Sequence, residues 1–395
     1  MAVVGEARRV TLIFMLLLSA ALTVNATLRP QWDWDMLAYA GCAEALRGDD
    51  TDEIHAAAYA ALEAEAPPEV ALRLRGESST QLAGGGPDVT AYRQQLSGDA
   101  QAFHAQLPFY RGRVVFIGLL SLASLLGIGV MHAAFAISLI SGLVFAAILL
   151  RWTTRFLPTP VAIPAMLLGV LLTGVPQVMS MGTPDMLAAS LVLGGAYLLA
   201  ESPRRALAIG LLLLAVATRV NHVNLVAALI LWSALRLPST GRRALRAVGG
   251  PFILLFVTAL TCTKWMDTYG LWTVFHHTFV EYSAFPALET PAIDVAFMRE
   301  RVLGSLPMFK AWQPLVFTLC GLAAILIGAR SRSWTSSPAR LAAFVLIAIA
   351  VNFAIFPALW PRLMIAPWTL LWVALLYAQK EPHRAISAVE PGTTA

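Results

Sequence analysis

Apolar positions in this chain come in long unbroken runs rather than in periodic stripes. They run from about Val10 to Ala26, then over 114–130, 132–150, 160–178, 186–200, 206–218, 223–236, 247–263, 315–329, 341–357 and 363–378. About 18–20 consecutive apolar residues span a bilayer. The pattern therefore predicts an all-α polytopic membrane protein with about 10–11 transmembrane helices. Gly127 and Gly129 interrupt 114–130, which reads as a dipping segment, with 132–150 as the true span. An ordinary crossing at 114–130 would raise ten spans to eleven.

Residues 28–113 break the pattern. The segment carries 13 of the chain's 23 acidic residues against 7 arginines. Its short helices are predicted to be amphipathic and to lie on the membrane surface. Asp35 is suited to N-cap a helix from Met36 to Arg47, with Met36, Tyr39, Ala43 and Leu46 as its apolar stripe. A second helix runs from about Asp52 to Ala66 and stops at Pro67-Pro68. Gly84-Gly85-Gly86-Pro87 is a break, and a third helix runs from about Val89 to Gln106.

Charge sets the expected sidedness. Arg8/Arg9, Arg151/Arg155, Arg204/Arg205, Arg236 with Arg242/Arg243/Arg246, Arg330/Arg332/Arg340 and Lys380/Arg384 fall at the chain start and on every second connection. The positive-inside rule puts these in the cytoplasm. The expected organisation is a first span over 1–27, an outer, periplasmic loop over 28–113, a core bundle over 114–263, a second outer loop over 264–313, C-terminal spans over 314–379 and a disordered cytoplasmic tail over 380–395. That is a multi-pass inner-membrane protein with both termini cytoplasmic. A cleaved signal peptide ending near Val24-Asn25-Ala26 is the alternative for the first run. Composition agrees: of 395 residues 58% are hydrophobic and 13% charged, with mean hydropathy +0.70. The formal charge of +5 shows no basic cluster of the nucleic-acid-binding kind. Cys42, Cys262 and Cys320 lie too far apart for a metal or disulfide framework.

Candidate chemistry gathers at the outer ends of the spans. Trp32-Asp33-Trp34-Asp35-Met36-Leu37-Ala38-Tyr39 packs two carboxylates, two indoles and a phenol into eight residues. On an extended lead-in both carboxylates can face one pocket; on a helix they diverge. Asp185, in Thr183-Pro184-Asp185-Met186, is either a helix cap or a further acid facing that pocket. Arg219, His222, His276, His277, Arg362, Arg111 and Arg113 lie at or beside outer ends, as do Lys264, Arg299, Arg301 and Lys310. Any of these can simply snorkel; converging, they suit a phosphate or pyrophosphate. The chain holds no P-loop, dinucleotide fingerprint, His-Glu-x-x-His or Gly-x-Ser-x-Gly, and no lone acid deep in a span.

These features resemble the GT-C superfamily of polytopic glycosyltransferases, nearest to the branch of protein O-mannosyltransferases and aminoarabinose transferases. Trp34-Asp35-Met36-Leu37-Ala38-Tyr39 keeps that branch's aromatic, Asp and Tyr after the first span, with Met36 in place of a second acid. Leu107-Pro108-Phe109-Tyr110 resembles the Pro-x-Tyr close of the loop, and Thr183-Pro184-Asp185 a later acidic motif. The resemblance covers about the first 240 residues. It implies a polyprenyl-phosphate-linked sugar as donor and a glycan, lipid or protein acceptor met outside. It further implies Asp35 as general base with inversion, and Asp33, Asp185 or Tyr39 as orienting groups. Arg219, His222, Arg362, Arg111 and the 276–310 loop with His276 and His277 would hold the lipid phosphate. Metal use varies within the superfamily, which leaves a divalent cation at the aspartates open. A transporter or flippase of a lipid-linked or anionic solute is the alternative function.

Overall fold

A computed structural model describes residues 2–78, 87–236, 242–330 and 337–379. The Gly84-Gly85-Gly86 break and the tail from Lys380 onward lie outside the described residues. The first helix, α1 (Ala2–Leu28), is apolar and leads into an extended stretch. There Gln31 forms an isolated parallel bridge with Met181, its N–H donating to Ser180 O at 2.8 Å. Then follow α2 (Trp34–Glu44), α3 (Thr51–Glu65), α4 (Pro68–Arg75), α5 (Pro87–Gly98) and α6 (Ala100–His104). The hydrophobic segments are α7 (Val114–Leu125), α8 (Val130–Thr153), α9 (Thr159–Leu172), α10 (Val175–Met179), α11 (Asp185–Glu201), α12 (Arg205–Thr218), α13 (Val223–Ala234) and α14 (Arg242–Leu260). The next stretch holds three short helices, α15 (Leu271–Phe279), α16 (Pro286–Glu289) and α17 (Val295–Gly304). The chain returns through α18 (Trp312–Arg330), α19 (Ser337–Ile355) and α20 (Pro361–Ala378).

The protein is an all-helical, multi-pass membrane protein. Among the described residues, six helices are long and apolar enough to cross a bilayer: Arg9–Leu28, Val130–Thr153, Val248–Trp265, Trp312–Arg330, Pro338–Ile355 and Pro361–Ala378. Four further apolar helices are shorter: Val114–Leu125, Thr159–Leu172, Arg205–Thr218 and Val220–Ala234. Of the expected ten or eleven spans, six are therefore long and apolar enough to cross, and local breaks shorten others. Gly174, in the left-handed region at φ 79°, separates α9 from α10. Arg219, extended at φ −157°, ends α12. The 12 residues of α7 rise only about 18 Å against the ~30 Å hydrocarbon core, and Gly127 at φ 77° turns the chain into α8.

Two cores form. The larger lies inside the bundle and includes Phe145, Trp152, Trp232, Phe317 and Trp368. The smaller joins α2, α3 and α6 to α7 and the start of α8, around Leu37, Tyr39, Phe103 and Phe116. Here the surface-helix expectation needs correction. Every residue from Met36 to Ala43 on α2 is buried, because Met-Leu-Ala-Tyr-Ala-Gly-Cys-Ala is apolar all round, and such a helix belongs in a core. Gly41 allows the fit, since a Cβ there would stand 2.8 Å from the Phe103 ring. Of the expected stripe, Leu46 alone is exposed. The third expected helix is divided by Asp99, which caps α6 by accepting from Gln101 and Ala102 N–H.

Candidate active site

The site is built on the first turn of α2. Asp33, not Asp35, holds the N-cap position, with extended backbone at φ −120° and ψ 152°. The helix already includes Trp34, and Met36 N–H donates to Asp33 O at 3.1 Å. Asp35 therefore sits in the first turn, where the helix dipole favours a negative charge. This arrangement still turns both carboxylates to one cation: Arg362 Nη1, in the first turn of α20, lies 2.9 Å from Asp35 Oδ2 and 3.2 Å from Asp33 Oδ2. The Tyr110 hydroxyl donates to Asp35 Oδ1 at 2.9 Å. Arg113, one turn after Tyr110, spreads its guanidinium over the rings of Tyr110 at 5.1 Å and Tyr39 at 5.9 Å. Among the described residues, the Arg113 guanidinium has no ion-pair or hydrogen-bond partner.

Asp35 and the three arginines Arg113, Arg219 and Arg362 line a cavity of about 450 Å³. Phe109, Val223, Leu271, Val274, Ile355 and Phe356 make its apolar wall. Asn221, Asn224 and Asn352 add uncharged polar groups. The stretch around Tyr282 closes over it, clamped by Gln106. Gln106 Nε2 donates to Ser283 O at 3.1 Å and Ala284 O at 2.8 Å, while its Oε1 accepts from the Tyr92 hydroxyl at 2.7 Å.

The two carboxylates are driven apart electrostatically. The Asp35 charge, helped by burial, pushes Asp33 up to about 6, against the pull of Arg362. The Asp33 side chain is 34% exposed, so water screens part of that field. Burial works against the Asp35 charge, but Arg362, the Tyr110 hydrogen bond and Arg113 together outweigh it and hold Asp35 below the usual carboxylate range. Burial and the neighbouring Asp35 charge keep the Tyr110 phenol well above its usual value, so it remains a donor. His277 lines the cavity but is held down to about 4 by burial and by His276, so it is neutral near pH 7.

The other expected residues are more scattered. Asp185 does not reach the cavity. Its side chain is fully buried, accepts from Thr183 Oγ1 at 2.8 Å and pairs with Arg219 Nη1 at 2.6 Å. It holds Arg219 at the cavity wall rather than facing the cavity itself. Tyr39 is fully buried against Tyr110 and Phe116. His222 is buried one layer deeper, in a narrow inlet off the cavity. His276 packs near Trp272, and Arg111 turns to His104 Nε2 at 3.0 Å; neither lines the cavity. Arg113, two residues on, lines it instead. Sequence reasoning missed the Tyr110–Asp35 bond and the asparagines. Asn224 and Asn352 were visible as amides inside apolar runs.

The aspartates do not fit a divalent cation. Arg362 Nη1 takes the position between Asp33 and Asp35, and among the described residues no group of three or more His, Cys, Asp or Glu comes together. What the site offers is an ionised carboxylate beside three guanidinium groups, at the edge of an apolar cavity. No protein-family model, no curated protein and no solved structure matches this chain.

Proposed function

We propose that the protein is a membrane glycosyltransferase of the GT-C kind, moving a sugar from a polyprenyl-phosphate donor to a hydroxyl on a glycan, lipid or protein acceptor. The α2 end of the bundle is then the periplasmic face of an inner membrane. One observation carries this reading: Asp35, ionised and oriented by Tyr110, opens onto a cavity whose remaining charges are Arg113, Arg219 and Arg362. Its volume of about 450 Å³ lies within the range of small-molecule sites. Its apolar wall suits the first isoprene units of a lipid.

In this reaction Asp35 accepts the proton of the acceptor hydroxyl as that oxygen attacks the anomeric carbon. The bond from that carbon to the phosphate oxygen breaks on the opposite face, inverting the centre. The electron pair leaves on the lipid phosphate. Arg113, lacking a carboxylate partner, and Arg362 stabilise the charge that grows there. A phosphate that draws Arg362 toward itself also loosens its hold on Asp35, which makes the carboxylate a stronger base when the acceptor's proton must move.

The test is transfer in proteoliposomes with radiolabelled polyprenyl-phosphate sugars. Asp35→Asn should lower the rate about 10²–10⁴-fold while the protein still folds and inserts. Wild-type transfer by that variant removes the mechanism. Deleting the gene and finding no sugar missing from envelope glycans, lipids or glycoproteins by mass spectrometry removes the function.

A further inference from the structure

Three amide side chains sit where an apolar bundle has least use for them. Asn221 lies in the turn before α13, Asn224 in its first turn, and Asn352 in the last turn of α19. All three line the main cavity, and all three also line a narrow inlet of about 20 Å³ that leads off it between α13, α19 and α20. His222, Leu363 and Pro367 also line the inlet, beside the apolar Leu225, Ala348, Ile349 and Met364. Pro367 stands inside α20; without an N–H it leaves the Leu363 carbonyl free of its helical bond. The three amides meet at one corner of the cavity.

Asparagines between packed helices commonly bond to each other and so tie the helices together. Here α13 packs against α19, yet among the described residues none of the three amides has a hydrogen-bond partner. Asn224 and Asn352 are half-buried and Asn221 is exposed, so all three keep their amides open to a ligand in the cavity. The corner is also uncharged, whereas Arg113 and Arg362 belong to the charged part of the cavity. An anion would be held there, not here. An amide both donates and accepts, which is what a row of hydroxyl groups requires.

On the reading given above, we infer that Asn224 and Asn352, with Asn221, bind the ring hydroxyls of the donor's sugar and set which sugar is used. The inlet has room for about one water molecule, which would bridge a hydroxyl to the deeper groups. A site built to bond a hydroxyl discriminates strongly against a ring that lacks it or turns it the other way.

The experiment is binding to purified full-length protein in nanodiscs. The probes are polyprenyl phosphate alone and the same lipid phosphate carrying mannose, glucose or arabinose. Wild type should bind bare lipid phosphate and bind one sugar-bearing form more tightly. Asn352→Leu and Asn224→Leu should each lose about tenfold of that added affinity, with affinity for bare lipid phosphate unchanged. Variants that keep the full added affinity, or that lose bare and sugar-bearing lipid equally, overturn the assignment. So does a wild type for which no sugar adds affinity. If wild type binds neither form, the glycosyltransferase reading itself fails and takes this one with it. Leucine substitutions in apolar helices should not prevent insertion, and thermal unfolding of each variant checks this directly.

Discussion

Replacing Asp185 by Asn isolates the ion pair that holds Arg219. The two side chains approach to 2.6 Å and are 0% and 9% exposed, so neither charge has water to fall back on. Asn preserves the volume and leaves an oxygen for the Thr183 hydroxyl, so no cavity term enters. What disappears is the countercharge. Stranding one member of a buried pair costs about 3–5 kcal/mol. Arg219 borders the cavity, which admits some water, so the lower end, about 3 kcal/mol, is expected. Equilibrium unfolding in mixed micelles would read this as a clear fall in midpoint. The double replacement Asp185→Leu with Arg219→Leu removes both charges and should recover to within about 1 kcal/mol of wild type. Asp185→Asn as stable as wild type would refute the reasoning. So would a double variant no better than the single, since the loss would then come from something other than the stranded guanidinium.

Tyr110→Phe deletes the hydroxyl that donates to Asp35; the acid limb of the pH–rate profile should move up by about one pH unit, as expected for a hydrogen bond to a charged group. Asp33 holds its proton more tightly in the folded protein, at about 6 against an ordinary 3.8, so its contribution to stability is present below about pH 4 and lost as pH rises from there through 6. Asp33→Asn should abolish that slope in thermal unfolding. Asp35 has the opposite sign: held below 3.8, its contribution is present above that value and lost as pH falls through its lower folded value. Gly41→Val would drive a side chain into the Phe103 ring and should cost about 1–3 kcal/mol, measured by chemical unfolding.

The long spans were legible because burial in lipid demands uninterrupted apolar runs, and α8 and α20 closely follow the runs in the sequence. The helix breaks were harder. Gly174 and Arg219 give no stop signal distinguishable from an ordinary glycine or a snorkelling arginine. The Asp33–Asp35 pair was readable as chemistry, but its geometry was not. Whether Asp33 or Asp35 opens α2 depends on Trp34 packing against Phe103 and Tyr110, contacts between residues far apart in the chain. The same holds for Asp185: adjacent to Thr183 and Pro184 it looks like a cap, and only the fold reveals Arg219 beside it. Arg111 and Arg113 were equivalent by sequence, and only the fold, which turns one to His104 and the other to the cavity, decides between them.

Asp35 and Arg362 are 327 residues apart in sequence, and this bears on how the protein is made. A ribosome delivers the acids with α2 and the arginine only with α20. Throughout synthesis the two carboxylates wait at the membrane border without their shared cation. A chain that stalls before Arg362 is therefore left with two repelling acids and an unfinished pocket. The site would be completed in a single late step, when α20 docks and Arg362 reaches both acids.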